Sequence, residues 1–331
     1  MATLYDIPTY QDPPASSLVE VPIIRYLEQD EKTFSFRILR AMTRAFMRAV
    51  YRQLMQPRDR RVGVESCTSY TGACARKARL QYEGAEAEKL MARPRLKFFV
   101  GDIIELSMVG LAQLAGVQLI DNNRDLSITG RDGVRVPVHP DGRVVTPEGV
   151  SYNVEVKSAD THTFDAWLAQ GGPDDTWGYL TQASVEIAAW REAGIPVSHT
   201  VFVAVSTGSR QGSIAEWLVP YDPALVAAWH DRRAVAHGPT VPPIPFTPDP
   251  ETSFLRSKTL QAEWLVHGDP VGRKDKNGNI YGYDVPTGRL KVPTYCSYCA
   301  YRSTQCWTTA QMDMDGSRPV WVVPGTNEEG P

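Results

Sequence analysis

The chain has 331 residues, 42% of them hydrophobic and 22% charged, with a formal net charge of −3. That balance excludes an intrinsically disordered chain, and no apolar run approaches the roughly 20 residues needed to cross a bilayer, so no membrane partner is expected. Five cysteines, in a chain whose first residues lack the basic and apolar regions of a signal peptide, suggest the cytoplasm and point to ligation or burial rather than a disulfide framework.

The charge is unevenly spread. Residues 31–100 hold 16 Lys and Arg against 6 Asp and Glu, a local +10 that leaves −13 for the rest. A basic lobe beside an acidic remainder suits an enzyme acting on a polyanion, because the lobe tracks phosphates while carboxylates hold cations.

In chain order, residues 1–30 are Pro-rich and read as irregular. From Thr33 to Met55 the residues Phe34, Ile38, Leu39, Met42, Phe46, Val50 and Leu54 keep helical spacing. Arg37, Arg40, Arg44, Arg48 and Arg52 recur every three or four residues along this helix, a stripe that suits gripping a nucleic-acid backbone or a partner's acidic surface, and they are the candidate nucleic-acid-binding residues. Cys67 and Cys74 follow, the latter just before a basic helical segment. Residues 97–114 read as a helix ended by Gly116. Val117 to Ile120 and Leu126 to Thr129 flank a polar turn as a hairpin.

The stretch from Val134 to Ser158 carries the chemistry. Val134, Val136 and Val138 alternate as a strand, His139 to Gly142 reads as a turn, and Asn153 to Lys157 alternates again. Side chains two apart on a strand share a face, so Glu155 and Lys157 project together while Val154 and Val156 pack behind them. Asp141 is brought close by the returning strand. Asp141, Glu155 and the Val156 carbonyl offer hard oxygen ligands to Mg²⁺ or Mn²⁺, and Lys157 is placed to orient an attacking water and offset charge on a phosphorane-like transition state. Beyond it, residues 176–193 read as a helix carrying Gln182. His199 to Ser206 and Ser213 to Val219 read as strands, and residues 222–236 as a helix. A Pro-rich linker begins at Thr240, and a turn is expected at Asn277-Gly278. The expected organisation is an N-terminal extension with the basic helix (1–62), a catalytic core (63–239) and a C-terminal segment (240–331). The fold class is α/β, a central mixed sheet flanked by helices.

Cys296 and Cys299 have chelate spacing and Cys306 follows. Three thiolates require a fourth ligand, with Cys74 the choice, and zinc and an iron–sulfur cluster both suit four sulfurs.

With Pro140-Asp141 and Glu155-Val156-Lys157 in the motif positions, the chain resembles the PD-(D/E)XK nucleases. One cysteine upstream, Asp…Glu-x-Lys in the middle and Cys-x-x-Cys-x₆-Cys at the end together resemble the iron–sulfur RecB-like exonucleases, which include the CRISPR-adaptation nucleases, the nuclease half of AddB and phage-borne relatives. The resemblance covers about residues 66–307. It implies a restriction-endonuclease-like core and a structural [4Fe–4S] cluster on Cys74, Cys296, Cys299 and Cys306. It also implies divalent-metal-dependent cleavage of DNA, single-stranded or from ends, in recombination, repair or DNA processing, alone or with protein partners. The family's Gly-x-x-x-His element matches Gly101 but has Glu105 in the histidine position, a carboxylate competent to join the metal shell. Its glutamine motif matches Gln182, while Glu186 stands where tyrosine is common. A non-catalytic nuclease-fold subunit of a larger assembly and a PD-(D/E)XK endonuclease are the alternative expectations.

Overall fold

The computed structural model describes residues 18–28, 36–51, 63–72, 74–87, 92–122, 124–208, 213–245, 249–262, 265, 269–292, 296, 299, 301–306, 311–315 and 318–323. The chain falls into two compact units, Met1–Tyr82 with Met91–Thr240, and Glu83–Leu90 with Val241–Pro331.

The first unit contains α1 (Glu20–Glu28), α2 (Phe36–Val50), α3 (Ala75–Tyr82), α4 (Ala92–Leu114), β1 (Leu119–Ile120), β2 (Leu126–Thr129), β3 (Arg135–Val138), β4 (Gly142–Val145), β5 (Ser151–Ala159), α5 (Thr161–Gln170), α6 (Tyr179–Glu192), β6 (Val197–Ser206), β7 (Ile214–Pro220) and α7 (Pro223–Ala236). Its main sheet has the order β1-β4-β5-β6-β7, with β5 and β6 parallel and the other pairs antiparallel. This is the expected α/β architecture, a mixed five-stranded sheet between helices.

Alternation on β5 and β6 divides the core. Val154, Val156, Val201 and Val203 pack with Ile23 of α1 and with Met108 and Ala112 of α4. Phe202 and Ala204, pointing the other way, pack with Phe164 and Trp167 of α5 and Leu180 of α6. Each fully buried valine or phenylalanine contributes about 1.5–3 kcal/mol by leaving water. Helix entries are fixed locally. Asp160 caps α5 by accepting the Thr163 N–H at 2.9 Å, and Asp222 caps α7 at Ala224, with Pro223 in the first helical position. Gly178 enters α6 with φ +81°, where a Cβ would run into the Thr71 carbonyl, so glycine is required there.

Three expectations are corrected. Residues 1–30 contain α1, held where the Glu216 carboxylate accepts the Leu18 and Val19 N–H groups, both at 2.8 Å. Residues 117–120 and 126–129 do not pair with each other: β1 pairs with β4, and β2 with β3. The strand opposite Asn153 to Lys157 is therefore not Val134 to Val138 but β4, with Gly142 across from Val154. Asp132 and Gly133 form a tight turn that commits β3 to β2, leaving Asp141 at the mouth of the β4–β5 hairpin.

The second unit contains β8 (Asp249–Leu255), β9 (Val271–Lys274), β10 (Ile280–Lys291), β11 (Gln311–Asp315) and β12 (Arg318–Val323), in an antiparallel sheet ordered β11-β12-β10-β8 with β9 also on β10. The expected Asn277-Gly278 turn joins β9 to β10. Gly278 has φ +83°, and the Asp275 carboxylate accepts the Asn277 and Asn279 N–H groups.

Candidate active site

Asn153, Glu155 and Lys157 share one face of β5, and Gln182, Glu186 and Trp190 recur every fourth residue along the face of α6 packed against it. The two periodicities mesh. The Gln182 amide donates to Glu155 Oε1 and to Glu186 Oε1, both at 2.9 Å. The Asn153 amide donates to Glu186 Oε2 at 2.8 Å and to Thr200 Oγ1 at 3.1 Å, while Asn153 Oδ1 accepts the Trp190 indole N–H at 2.9 Å. Lys157 Nζ pairs with Glu155 Oε1 and lies 5.7 Å from the centre of the Tyr179 ring. Glu155 is fully buried, whereas the Lys157 side chain keeps 23% of its surface exposed. The lysine therefore connects the buried network to solvent.

Asp141 completes the arrangement. Its Oδ2 accepts the Val156 N–H at 2.8 Å, which fixes the half-buried carboxylate beside the Glu-x-Lys strand. Burial pushes its carboxyl well above the ordinary carboxylate range, and the Glu155 and Glu105 charges push it further, against Lys157 and the Val156 N–H. Glu186 is pushed up in the same way, by burial and then by Glu155 and Asp141, against the Gln182 and Asn153 donors. Burial opposes the charge on Lys157, but Glu155 and Asp141 outweigh it and hold the ammonium protonated beyond the usual lysine range. Glu155 Oε2 is buried without a hydrogen-bond partner. The pocket is short of positive charge.

No protein-family model and no curated protein matches the chain. Among solved structures it is similar to one described as the crystal structure of SSO0001, with a TM-score of 0.39 and 13% identity over 58% of this chain and 85% of that chain. A likeness that slight carries no functional weight.

Among the described residues no group of three or more His, Cys, Asp or Glu side chains is assembled as a metal site. The donor chemistry nevertheless fits a divalent cation: hard carboxylate oxygens, one of them buried and orphaned, where neighbouring carboxylates raise the proton affinity of Asp141 and Glu186. The structure brings Asp141, Glu155, Val156, Lys157 and Gln182 together, and Glu105 contributes its charge at Asp141 from α4. Gly101 faces the same strand, where a Cβ would stand 3.7 Å from Ser158 Oγ. Sequence reasoning missed Asn153, Glu186 and Trp190. The readable signal was their register, two residues before Glu155 on the strand and four and eight after Gln182 on the helix.

Arg37, Arg40, Arg44 and Arg48 are exposed along α2, and Arg52 lies outside the described residues. Cys74 belongs to the first unit and Cys296, Cys299 and Cys306 to the second. The Cys299 N–H donates to the Cys296 carbonyl at 2.9 Å. Cys67 is buried, and burial, followed by the Glu186 and Glu155 charges, raises its thiol well above the ordinary range.

The raised Asp141 carboxyl sets a direction for stability. Its proton affinity is higher in the folded than in the unfolded chain, so its favourable contribution is complete below the ordinary carboxylate range and is lost as pH rises through the raised value. In EDTA, the urea midpoint is expected to fall as pH rises above the ordinary carboxylate range, and saturating Mn²⁺ is expected to flatten that slope. A midpoint that climbs as pH rises in EDTA, with no smaller slope in Asp141→Asn, would remove the charge-deficit assignment.

Proposed function

We propose that this chain is a divalent-metal-dependent deoxyribonuclease with a PD-(D/E)XK core, acting on DNA ends or single strands. The observation that carries the reading is the Glu155–Lys157 pair on β5 beside Asp141, with Glu155 Oε2 buried and unsatisfied. Asp141, Glu155 and the Val156 carbonyl would hold Mg²⁺ or Mn²⁺, with Glu105 adding charge at Asp141. The bound ion supplies Lewis acidity toward a phosphate oxygen and eases deprotonation of water.

The remaining work belongs to the side chains. Lys157, protonated and partly exposed, donates N–H groups toward the water and the phosphate oxygens, and the Tyr179 ring flanks it. Gln182 holds Glu155 Oε1 from α6, which leaves Oε2 as the oxygen with unused capacity. The exposed arginines of α2 offer a phosphate-binding stripe.

The cofactor reading extends to the cysteines. Cys74, Cys296, Cys299 and Cys306 would hold a [4Fe–4S] cluster with a structural role. Cys74 stands at the start of α3, where its sulfur accepts the Lys77 N–H at 3.4 Å, an arrangement that suits an anionic sulfur. Within the second unit, the Glu86 carbonyl accepts from Thr304 and Gln305, the residues just before Cys306.

The test is anaerobic incubation of the protein with linear single-stranded, linear duplex and closed circular DNA in Mn²⁺ or Mg²⁺. Linear substrates should be degraded, the closed circle spared, and EDTA should stop the reaction. Cleavage that persists in EDTA, or none under any of these conditions, would overturn the proposal. Nicking or linearisation of the circle would redirect it to an endonuclease.

A further inference from the structure

Glu186 lies outside the expected catalytic set, yet both of its carboxylate oxygens are engaged by amide donors. It is almost fully buried, and each carboxylate oxygen receives an amide N–H, Oε1 from Gln182 and Oε2 from Asn153. An amide side chain has one donating end and one accepting end, and a flip exchanges them. Two accepting oxygens settle both orientations at once. With Glu186 in place, Gln182 must turn its NH₂ toward the helix-side carboxylate, and the same NH₂ reaches Glu155 Oε1 at 2.9 Å. Asn153 must likewise turn its NH₂ inward, which leaves Oδ1 for the Trp190 indole N–H. The opposite orientation of Gln182 would set an amide oxygen against the Glu155 carboxylate, in a place where both are shielded from water.

We infer that Glu186 is a positioning residue for the metal site: it locks Gln182 in the donating orientation that fixes Glu155 Oε1 and thereby aims the unsatisfied Oε2. This rests on the nuclease reading in one respect, that Glu155 is a ligand. Glu186 itself has both oxygens engaged by protein N–H groups, so its role runs through Gln182 rather than through the ion. Glu186→Gln keeps the size of the side chain but offers one acceptor where two are needed, so either Gln182 or Asn153 faces an N–H and must turn or move.

The experiment measures Mn²⁺ affinity by the loss of the free-ion electron paramagnetic resonance signal, without DNA. Samples are wild type, Glu186→Gln, Gln182→Ala, the double variant, and Thr200→Val, which loosens Asn153 without touching Gln182. Glu186→Gln and Gln182→Ala are each expected to weaken Mn²⁺ binding about 10-fold or more, as the loss of groups that orient a metal ligand does. Because Glu186 acts through Gln182, the double variant should be no weaker than Gln182→Ala alone. Thr200→Val should stay within about two-fold of wild type, which separates positioning from general loosening of the core. Unchanged affinity in folded Glu186→Gln, or additive losses in the double variant, would overturn the inference. Should Glu186→Gln not fold, Gln182→Ala decides, since it cuts the link itself, and unchanged affinity there overturns the inference. Wild type that binds no Mn²⁺ would instead remove the metal reading on which the inference stands.

Discussion

Asp141→Asn and Lys157→Met should both reduce DNA cleavage by at least about 10²–10³-fold, the range seen when one charge-stabilising group is removed from a preorganised site, while shifting stability in opposite directions. Asparagine still offers an oxygen to the Val156 N–H, so the hairpin keeps its anchor, but one of the mutually repelling carboxylates is gone. In EDTA at neutral pH this variant should be at least as stable as wild type. Methionine at 157 leaves fully buried Glu155 with no cation and an already orphaned oxygen. Breaking a buried pair costs about 3–5 kcal/mol, and the lower end applies because Lys157 is partly solvated. Urea midpoints and single-turnover cleavage on the same preparations give both readouts. Wild-type cleavage in either variant would remove the catalytic assignment. Equal midpoints for Lys157→Met and wild type would show that the ion pair does not carry the buried charge.

The two stability signs follow from how the site is built, and that also explains what could be read before the fold was known. Alternation along Asn153 to Lys157 was legible because a strand period of two leaves Glu155 and Lys157 no other shared face, and β5 has that arrangement. The long helices α2, α4, α6 and α7 were legible from apolar spacing and from breakers such as Gly116 and Gly194. The partner strand was not. Val134 to Val138 and Val144 to Val145 are equally β-prone, and the choice is made by the tight turn at Asp132 and Gly133, which is a matter of backbone geometry. Helix α1 was hidden because its anchor, Glu216, lies nearly 200 residues away. Glu186 was read as a departure from the tyrosine common in the resembled motif. Its worth depends on Asn153 and Gln182 arriving from a strand and a helix at once, which no local window contains.

The cysteines present the opposite case, where spacing is informative and local chemistry distinguishes the candidates. Anaerobically purified protein is expected to be brown and to carry about four irons per chain. Serine at Cys74, Cys296, Cys299 or Cys306 should abolish most of that iron, and serine at Cys67 should leave it in place. The difference between the two upstream cysteines is electrostatic. A cluster ligand must be a thiolate, and Cys67 sits among buried side chains with the Glu186 and Glu155 charges raising the cost of its ionisation, while its carbonyl accepts the Trp229 indole N–H at 2.9 Å. Cys74 instead has an N–H directed at its sulfur at the start of a helix whose first residues include Arg76 and Lys77. A cluster holding Cys74 and Cys296 would close a loop of more than about 200 residues, so its loss should destabilise the folded chain by several kcal/mol and expose the segment around residues 296–306 to proteolysis. Metal analysis, visible absorbance and limited proteolysis on the five serine variants check each part. Colourless protein carrying zinc would replace the cofactor while keeping the ligands. Iron lost in Cys67→Ser but retained in Cys74→Ser would reverse the choice of fourth ligand and require that the buried thiol ionise beside two carboxylates.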